Sequence, residues 1–102
     1  MQETIFLNLC ENRLTNLTQQ IELLDKDSKL DVEYSDGILR ITIEATNQTY
    51  IINKHSATQK IWYSSPFSGA DYFSFDMNSA NWLSAKGEEL SQKLLLELKN
   101  IL

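Results

Sequence analysis

The sequence predicts an α+β protein: a two-layer α-β sandwich in which an antiparallel sheet of five or six strands carries the N- and C-terminal helices on one face. Three observations predict it. Apolar residues recur at three- and four-residue spacing at both ends of the chain, and they alternate with polar residues at period two through the middle. The segments joining successive alternating runs are short enough for hairpins. Hairpin-linked strands pair antiparallel, and two one-sided helices most economically cover the same sheet face. The other face is left to solvent and is available for recognition.

From about Thr4 to Leu24, the positions Phe6, Leu9, Cys10, Leu14, Leu17, Ile21 and Leu24 form one apolar stripe, with Glu11, Asn12, Thr15, Thr18, Gln19 and Glu22 mostly on the other side. The polar run Asp25-Lys26-Asp27-Ser28 ends this helix. Leu30, Val32 and Tyr34 then alternate with Asp31, Glu33 and Ser35, giving a strand with one wet, acidic face. Asp36-Gly37 is a hairpin signal, because both residues tolerate positive φ. A β-branched strand follows over Ile38–Ala45, then strands over Thr49–Lys54, Lys60–Ser64 and Asp71–Asp76, the last two joined by the Ser65-Pro66-Phe67-Ser68-Gly69 loop. Asn81-Trp82-Leu83 reads either as a short edge strand or as an aromatic plug against the terminal helix. Leu90, Leu94, Leu95, Leu98 and Ile101 restore helical spacing, with Ser84 as a candidate N-cap and Glu89/Lys93 as an i,i+4 pair.

With 102 residues, the chain has the size of one domain, residues 1–102. Its net charge of −5 argues against duplex nucleic acid, whose partners supply Lys and Arg. The acidity is unevenly placed. Residues 1–36 hold eight acidic and three basic side chains, a net of −5, whereas residues 37–102 hold six of each. A cation or a basic protein is the natural partner for such an end. The lone Cys10 has no internal disulfide partner and sits in the apolar stripe, which suits a buried thiol in a reducing compartment. No apolar run approaches the roughly 20 residues of a membrane span. The opening residues, Met1 to Leu9, lack a basic region and meet Glu3 at once, unlike a signal or transit peptide. The expected location is the cytoplasm, or an organelle if the chain is a processed form.

Carboxylates are the first candidates for chemistry. A helix edge bearing Glu11, Glu22 and Asp25 beside a strand bearing Asp31 and Glu33 offers oxygen ligands to Fe, Mn, Ca or Mg. The plain alternative is a solvated acidic surface. No metal-cage spacing such as HExxH or an EF-hand is present. His55 lies in a polar connector without a sequence-near catalytic partner, and stands as a minor ligand or an interface residue. In Ile61-Trp62-Tyr63, Trp62 must face opposite to its neighbours. If Ile61 and Tyr63 feed the core, Trp62 stands on the open face near Asn53, where tryptophan is a typical interface anchor.

Tyr50-Ile51-Ile52-Asn53-Lys54-His55, followed by Gln59-Lys60-Ile61-Trp62-Tyr63-Ser64-Ser65-Pro66-Phe67-Ser68-Gly69, resembles the central signature of the frataxin family. The Leu30–Leu39 hairpin, Phe75-Asp76, Trp82 and the segment from Gly87 through Leu98 resemble its flanking parts, so the likeness runs over nearly the whole chain. It implies an iron-binding adaptor or regulator of iron–sulfur cluster assembly that docks on the cysteine desulfurase and scaffold complex, with weakly bound Fe2+ or Fe3+ and no organic cofactor. Ferroxidase or iron-storage activity is the alternative. The family's acidic ridge maps onto Glu11, Glu22, Asp25, Asp27, Asp31 and Glu33, and its exposed sheet residues onto Asn53 and Trp62, which Lys60 joins as a partner-binding candidate. Thr18, Gln19 and Leu23 stand where bacterial relatives often carry acids, and Lys29 interrupts the ridge. His55 replaces the usual Gln, and Tyr63 the usual Leu. The short N-terminus resembles the bacterial, CyaY-like branch, expected to be monomeric without iron.

Overall fold

In a computed structural model, residues 1–102 are all described. Helix α1 (Glu3–Leu24) is followed by strands β1 (Leu30–Ser35), β2 (Ile38–Ile43), β3 (Thr49–His55), β4 (Lys60–Ser65), β5 (Gly69–Asp76) and β6 (Asn81–Leu83), and by helix α2 (Leu90–Ile101). The strands form one six-stranded sheet in sequence order, antiparallel throughout. Both helices pack on the same side of it, as the one-sided stripes required.

Phe6, Cys10, Leu14, Leu17 and Ile21 are the buried stripe of α1, and Leu90, Leu94 and Leu98 that of α2. They meet the inward residues of the sheet, among them Leu39, Ile41, Tyr50, Ile52, Ile61, Tyr63 and Phe73, all fully buried. Burying one such Leu, Ile or Phe contributes roughly 1.5–3 kcal/mol, so this interface dominates the favourable side of folding. Burial also pushes the Cys10 thiol up to about 12, with nearby Lys54 opposing weakly. That makes Cys10 an inert packing group at neutral pH.

Asp36 and Gly37 both have positive φ, 53° and 76°, which closes the β1–β2 hairpin tightly. At Gly37 a Cβ would also lie 2.7 Å from the Lys54 side chain, so an L-residue there is strained by its positive φ and makes the flexible Lys54 chain move aside.

Several local details differ from the sequence reading. His55 is the last residue of β3, paired with Lys60 across the turn, instead of lying in a polar connector. Helix α2 starts at Leu90, with Glu89 as N-cap: its carboxylate accepts from the Ser91 and Gln92 amides. Ser84 instead closes the preceding turn, accepting from the Lys86 and Glu88 amides. Lys93 consequently pairs with Glu88 at 3.2 Å and Glu97 at 3.9 Å, because Glu89 is occupied. Of the two readings of Asn81-Trp82-Leu83, the short edge strand is the one formed, paired with β5, and the Trp82 ring meets Phe6 of α1 and Phe75 edge-on.

Candidate functional site

The six ridge carboxylates occupy the end of the sheet where α1 flanks edge strand β1. Glu11 and Glu22 are exposed on α1, eleven residues apart, which places them about 16 Å from one another along the helix. Glu11 is engaged: the Tyr34 hydroxyl of β1 and the Thr15 hydroxyl both donate to it. Partial burial, and then the bond to Glu11, hold the Tyr34 hydroxyl well above the ordinary phenol range, so Tyr34 is a permanent donor.

Asp25 is half-buried just past α1, and its two oxygens accept the Lys29 and Leu30 amides at 2.8 and 2.9 Å. It ties the helix end to the start of β1. Asp27 is exposed in the same turn. Asp31 and Glu33 project from the open face of β1, opposite Thr42 and Arg40 of β2, roughly 7 Å apart along the strand.

These separations decide what the acids can do. No group of three or more His, Cys, Asp or Glu side chains converges anywhere in the chain, so the ridge is a row of separate oxygen donors. None of its charge is nonetheless paired at contact distance. The ion pairs within 4.0 Å are those of Lys93 with Glu88 and Glu97, so none of the six ridge acids is paired, despite Lys26 and Lys29 in the same turn. Such a row attracts cations and basic surfaces over several ångströms.

The open sheet face carries the second group. Strand register aligns Ser35, Ile38, Asn53, Trp62 and Tyr72 in one row across five strands. Ile61 and Tyr63 are fully buried while Trp62 is half-exposed, so of the two faces that parity separates, the one with Trp62 is open. Asn53 Nδ2 donates to its neighbour's carbonyl, that of Lys54, at 2.9 Å. His55 Nδ1 pairs with Thr58 Oγ1 at 2.8 Å, which fixes the ring against Tyr72, centroid to centroid 5.5 Å. Lys60 Nζ sits 5.8 Å from the same Tyr72 ring. Tyr72 therefore joins Trp62, His55 and Lys60 into one patch, although the sequence did not single it out. Its signal was the hairpin itself: closing the loop with Ser65 opposite Gly69 places Tyr72 opposite Trp62.

A second unpredicted cluster surrounds Glu97 of α2. The hydroxyls of Tyr63 and Ser68 donate to one carboxylate oxygen at 2.7 and 2.9 Å, and those of Ser65 and Tyr50 to the other at 2.7 and 3.2 Å. Partial burial alone would raise the Glu97 pKa, but the donors Tyr63, Ser65, Ser68 and Tyr50 outweigh it and hold the group below the ordinary carboxyl value. The cluster fastens the 65–69 loop and two strands to α2. Buried tyrosines need hydroxyl partners, yet nothing in the sequence says which residue supplies them.

No helix is long and apolar enough to cross a membrane. Together, the fold and site define a six-stranded α-β sandwich with an unpaired acidic edge and an aromatic, partly basic open face. All 102 residues match the family model described as the frataxin-like domain, and the chain belongs to that family.

A mitochondrial frataxin homologue of Drosophila melanogaster is 31% identical over 101 residues, covering 92% of this chain and 53% of that protein. Mitochondrial frataxin of Arabidopsis thaliana is 30% identical, covering 99% of this chain and 56% of its own length. The chain thus spans just over half the length of these curated relatives. Trimeric frataxin of Saccharomyces cerevisiae in a ferrous complex superposes with a TM-score of 0.76 at 32% identity, over 90% of this chain and 83% of that one. Frataxin of Psychromonas ingrahamii, at 14% identity and a TM-score of 0.68 over 87% of this chain and 80% of that one, shares the fold. The curated relatives being eukaryotic, the comparisons support the family and do not single out the bacterial branch.

Proposed function

We propose that this chain, acting as one domain over residues 1–102, is an iron-binding adaptor and regulator of iron–sulfur cluster assembly that docks on a cysteine desulfurase and scaffold complex. The observation that carries the proposal is the row of unpaired carboxylates along α1 and β1, in a chain whose whole length matches the frataxin-like domain. Glu22, Asp27, Asp31 and Glu33 are its free ligands, with Glu11 and Asp25 contributing their remaining lone pairs. Separate carboxylates hold Fe2+ or Fe3+ weakly, as a cargo to be released. The ferrous complex of the yeast relative supports iron as that cargo.

The same acids steer the domain toward a basic partner surface, while Trp62, Asn53 and Lys60 make contacts on the open sheet face, with His55 at its margin. Sulfur extraction belongs to the desulfurase. Ferroxidase chemistry calls for fixed, convergent ligands, an arrangement that the spacing of these carboxylates does not favour. The mitochondrial relatives weigh toward the matrix rather than the bacterial cytoplasm.

The test is binding to a purified desulfurase–scaffold complex at 20 mM and 500 mM salt, concentrations that change the Debye length from roughly 20 Å to about 4 Å. Affinity that falls at least tenfold at high salt supports acid-driven docking. Salt-independent binding, or none at low salt, rejects it.

A further inference from the structure

The outer side of α1 forms a groove of about 400 Å³ with the β5–β6 end of the sheet, away from both the acidic edge and the open face. Its apolar lining is Leu9, Phe75 and Ala80, with the almost fully buried Trp82 behind them, and its polar lining is Asn12, Arg13 and Asn16. In a chain of net charge −5, this groove is lined by a cation and by no carboxylate.

Arg13 is the unusual member. It is half-buried, and its guanidinium donates to a neutral partner, Ser91 Oγ of α2, at 3.1 Å. No carboxylate lies within 4.0 Å of it. The acid beside Ser91 in sequence does not serve, because Glu89 accepts the Ser91 and Gln92 amides. A guanidinium is planar, always charged, and presents paired N–H donors that match a carboxylate. Partly removing it from water without an anion is unfavourable.

We propose that this groove is a binding site for a small organic carboxylate: the acid group lies between Arg13 and the carboxamides of Asn12 and Asn16, and the apolar body lies against Leu9, Phe75 and Ala80. The volume falls in the range of small-molecule pockets, and an apolar lining with a few convergent polar groups is their usual composition. This site is independent of the iron and docking reading, since it uses none of the ridge acids.

The experiment is a 1H–15N NMR titration of the intact chain with 3-phenylpropionate. The neutral amide of the same acid and inorganic phosphate serve as comparison probes. The site predicts saturable shifts confined to residues 9–16, 75–82 and the start of α2 around Ser91, whose hydroxyl Arg13 contacts, with the amide and phosphate each binding at least tenfold more weakly. Arg13→Gln should weaken phenylpropionate at least tenfold. Should that variant fail to fold, Asn16→Asp decides: on the exposed rim it supplies Arg13 with a competing carboxylate, so it should keep the fold and lose the ligand. The site is overturned by absent shifts, by equal binding of acid and amide, or by undiminished binding in a folded variant. Equal binding of phosphate overturns the assignment to an organic acid.

Discussion

The rings of Trp62 and Tyr72 lie against each other across the β4–β5 ladder, with centroids 4.8 Å apart and planes tilted by 59°. Both side chains belong to the solvent-facing row of the sheet, so their contact builds a surface rather than a core. A half-exposed tryptophan packed on a second aromatic ring is already held in place, and a partner pays little entropy to use it.

Trp62→Ala should therefore weaken binding to the desulfurase–scaffold complex by about 2 kcal/mol, roughly thirtyfold, with a far smaller effect on folding. Calorimetric titration alongside thermal unfolding checks this. Unaltered affinity in a folded variant counts against the sheet face as a docking surface.

The Glu97 cluster predicts strong coupling between α2 and the strands beneath it. Glu97→Ala strands the buried Tyr63 hydroxyl and should cost about 3 kcal/mol. Tyr63→Phe alone should cost about 1 kcal/mol, and next to nothing in the Glu97→Ala background. Denaturant unfolding of the four proteins gives the cycle. Strict additivity would show that Tyr63 and Glu97 do not act together.

The pH dependence follows from the same groups. Glu97 has its folded pKa depressed, so its contribution is fully present above the ordinary carboxyl pKa of about 4.3 and is lost as pH falls through the lower folded value. Tyr34, Tyr50 and Tyr63 have folded pKa values raised, by burial first in each case. Their contribution is complete below about 10 and is lost as pH rises toward the folded values. Thermal melts should show a plateau between about pH 5 and 9, with Glu97→Gln flattening the acid limb. An acid limb that is unchanged in Glu97→Gln contradicts the assignment.

Asp25 separates stability from iron binding. Because its carboxylate accepts the Lys29 and Leu30 amides, Asp25→Ala should destabilise the fold by about 2 kcal/mol, lowering the melting temperature by roughly 10 °C. Its effect on iron titration at low temperature should be smaller than that of Glu22→Gln. The reverse order would make Asp25 a metal ligand before a structural one.

Most of the fold was legible because its signals are local. Asp36-Gly37 announced its hairpin, the parity of Ile61, Trp62 and Tyr63 put Trp62 on the opposite face from its neighbours, and the stripe from Phe6 to Ile21 fixed the buried side of α1. The start of α2 was misread since Ser84 and Glu89 both have capping chemistry, and only the turn closed by Ser84 decides between them. The acids were legible as a charge excess. That Asp25 and Glu11 already serve as acceptors was not, because their donors, the Leu30 amide and the Tyr34 hydroxyl, are brought to them by the packing of β1 beside α1. Glu97 escaped for the same reason, its donors lying 29 to 47 residues away in sequence, whereas Tyr72 could have been placed opposite Trp62 from the hairpin register.

The most direct measurement is a pair of calorimetric titrations on the triple variant Glu22→Gln, Asp31→Asn, Glu33→Gln, one with Fe2+ under anaerobic conditions and one with the desulfurase–scaffold complex at low salt. The substitutions avoid Asp25 and Glu11, so the fold is retained. Three exposed charges of about 0.5–1 kcal/mol each predict a loss of roughly tenfold or more in partner affinity and a clear weakening of iron binding. Two titrations that superimpose on those of the unaltered protein would contradict the acidic edge as the functional surface.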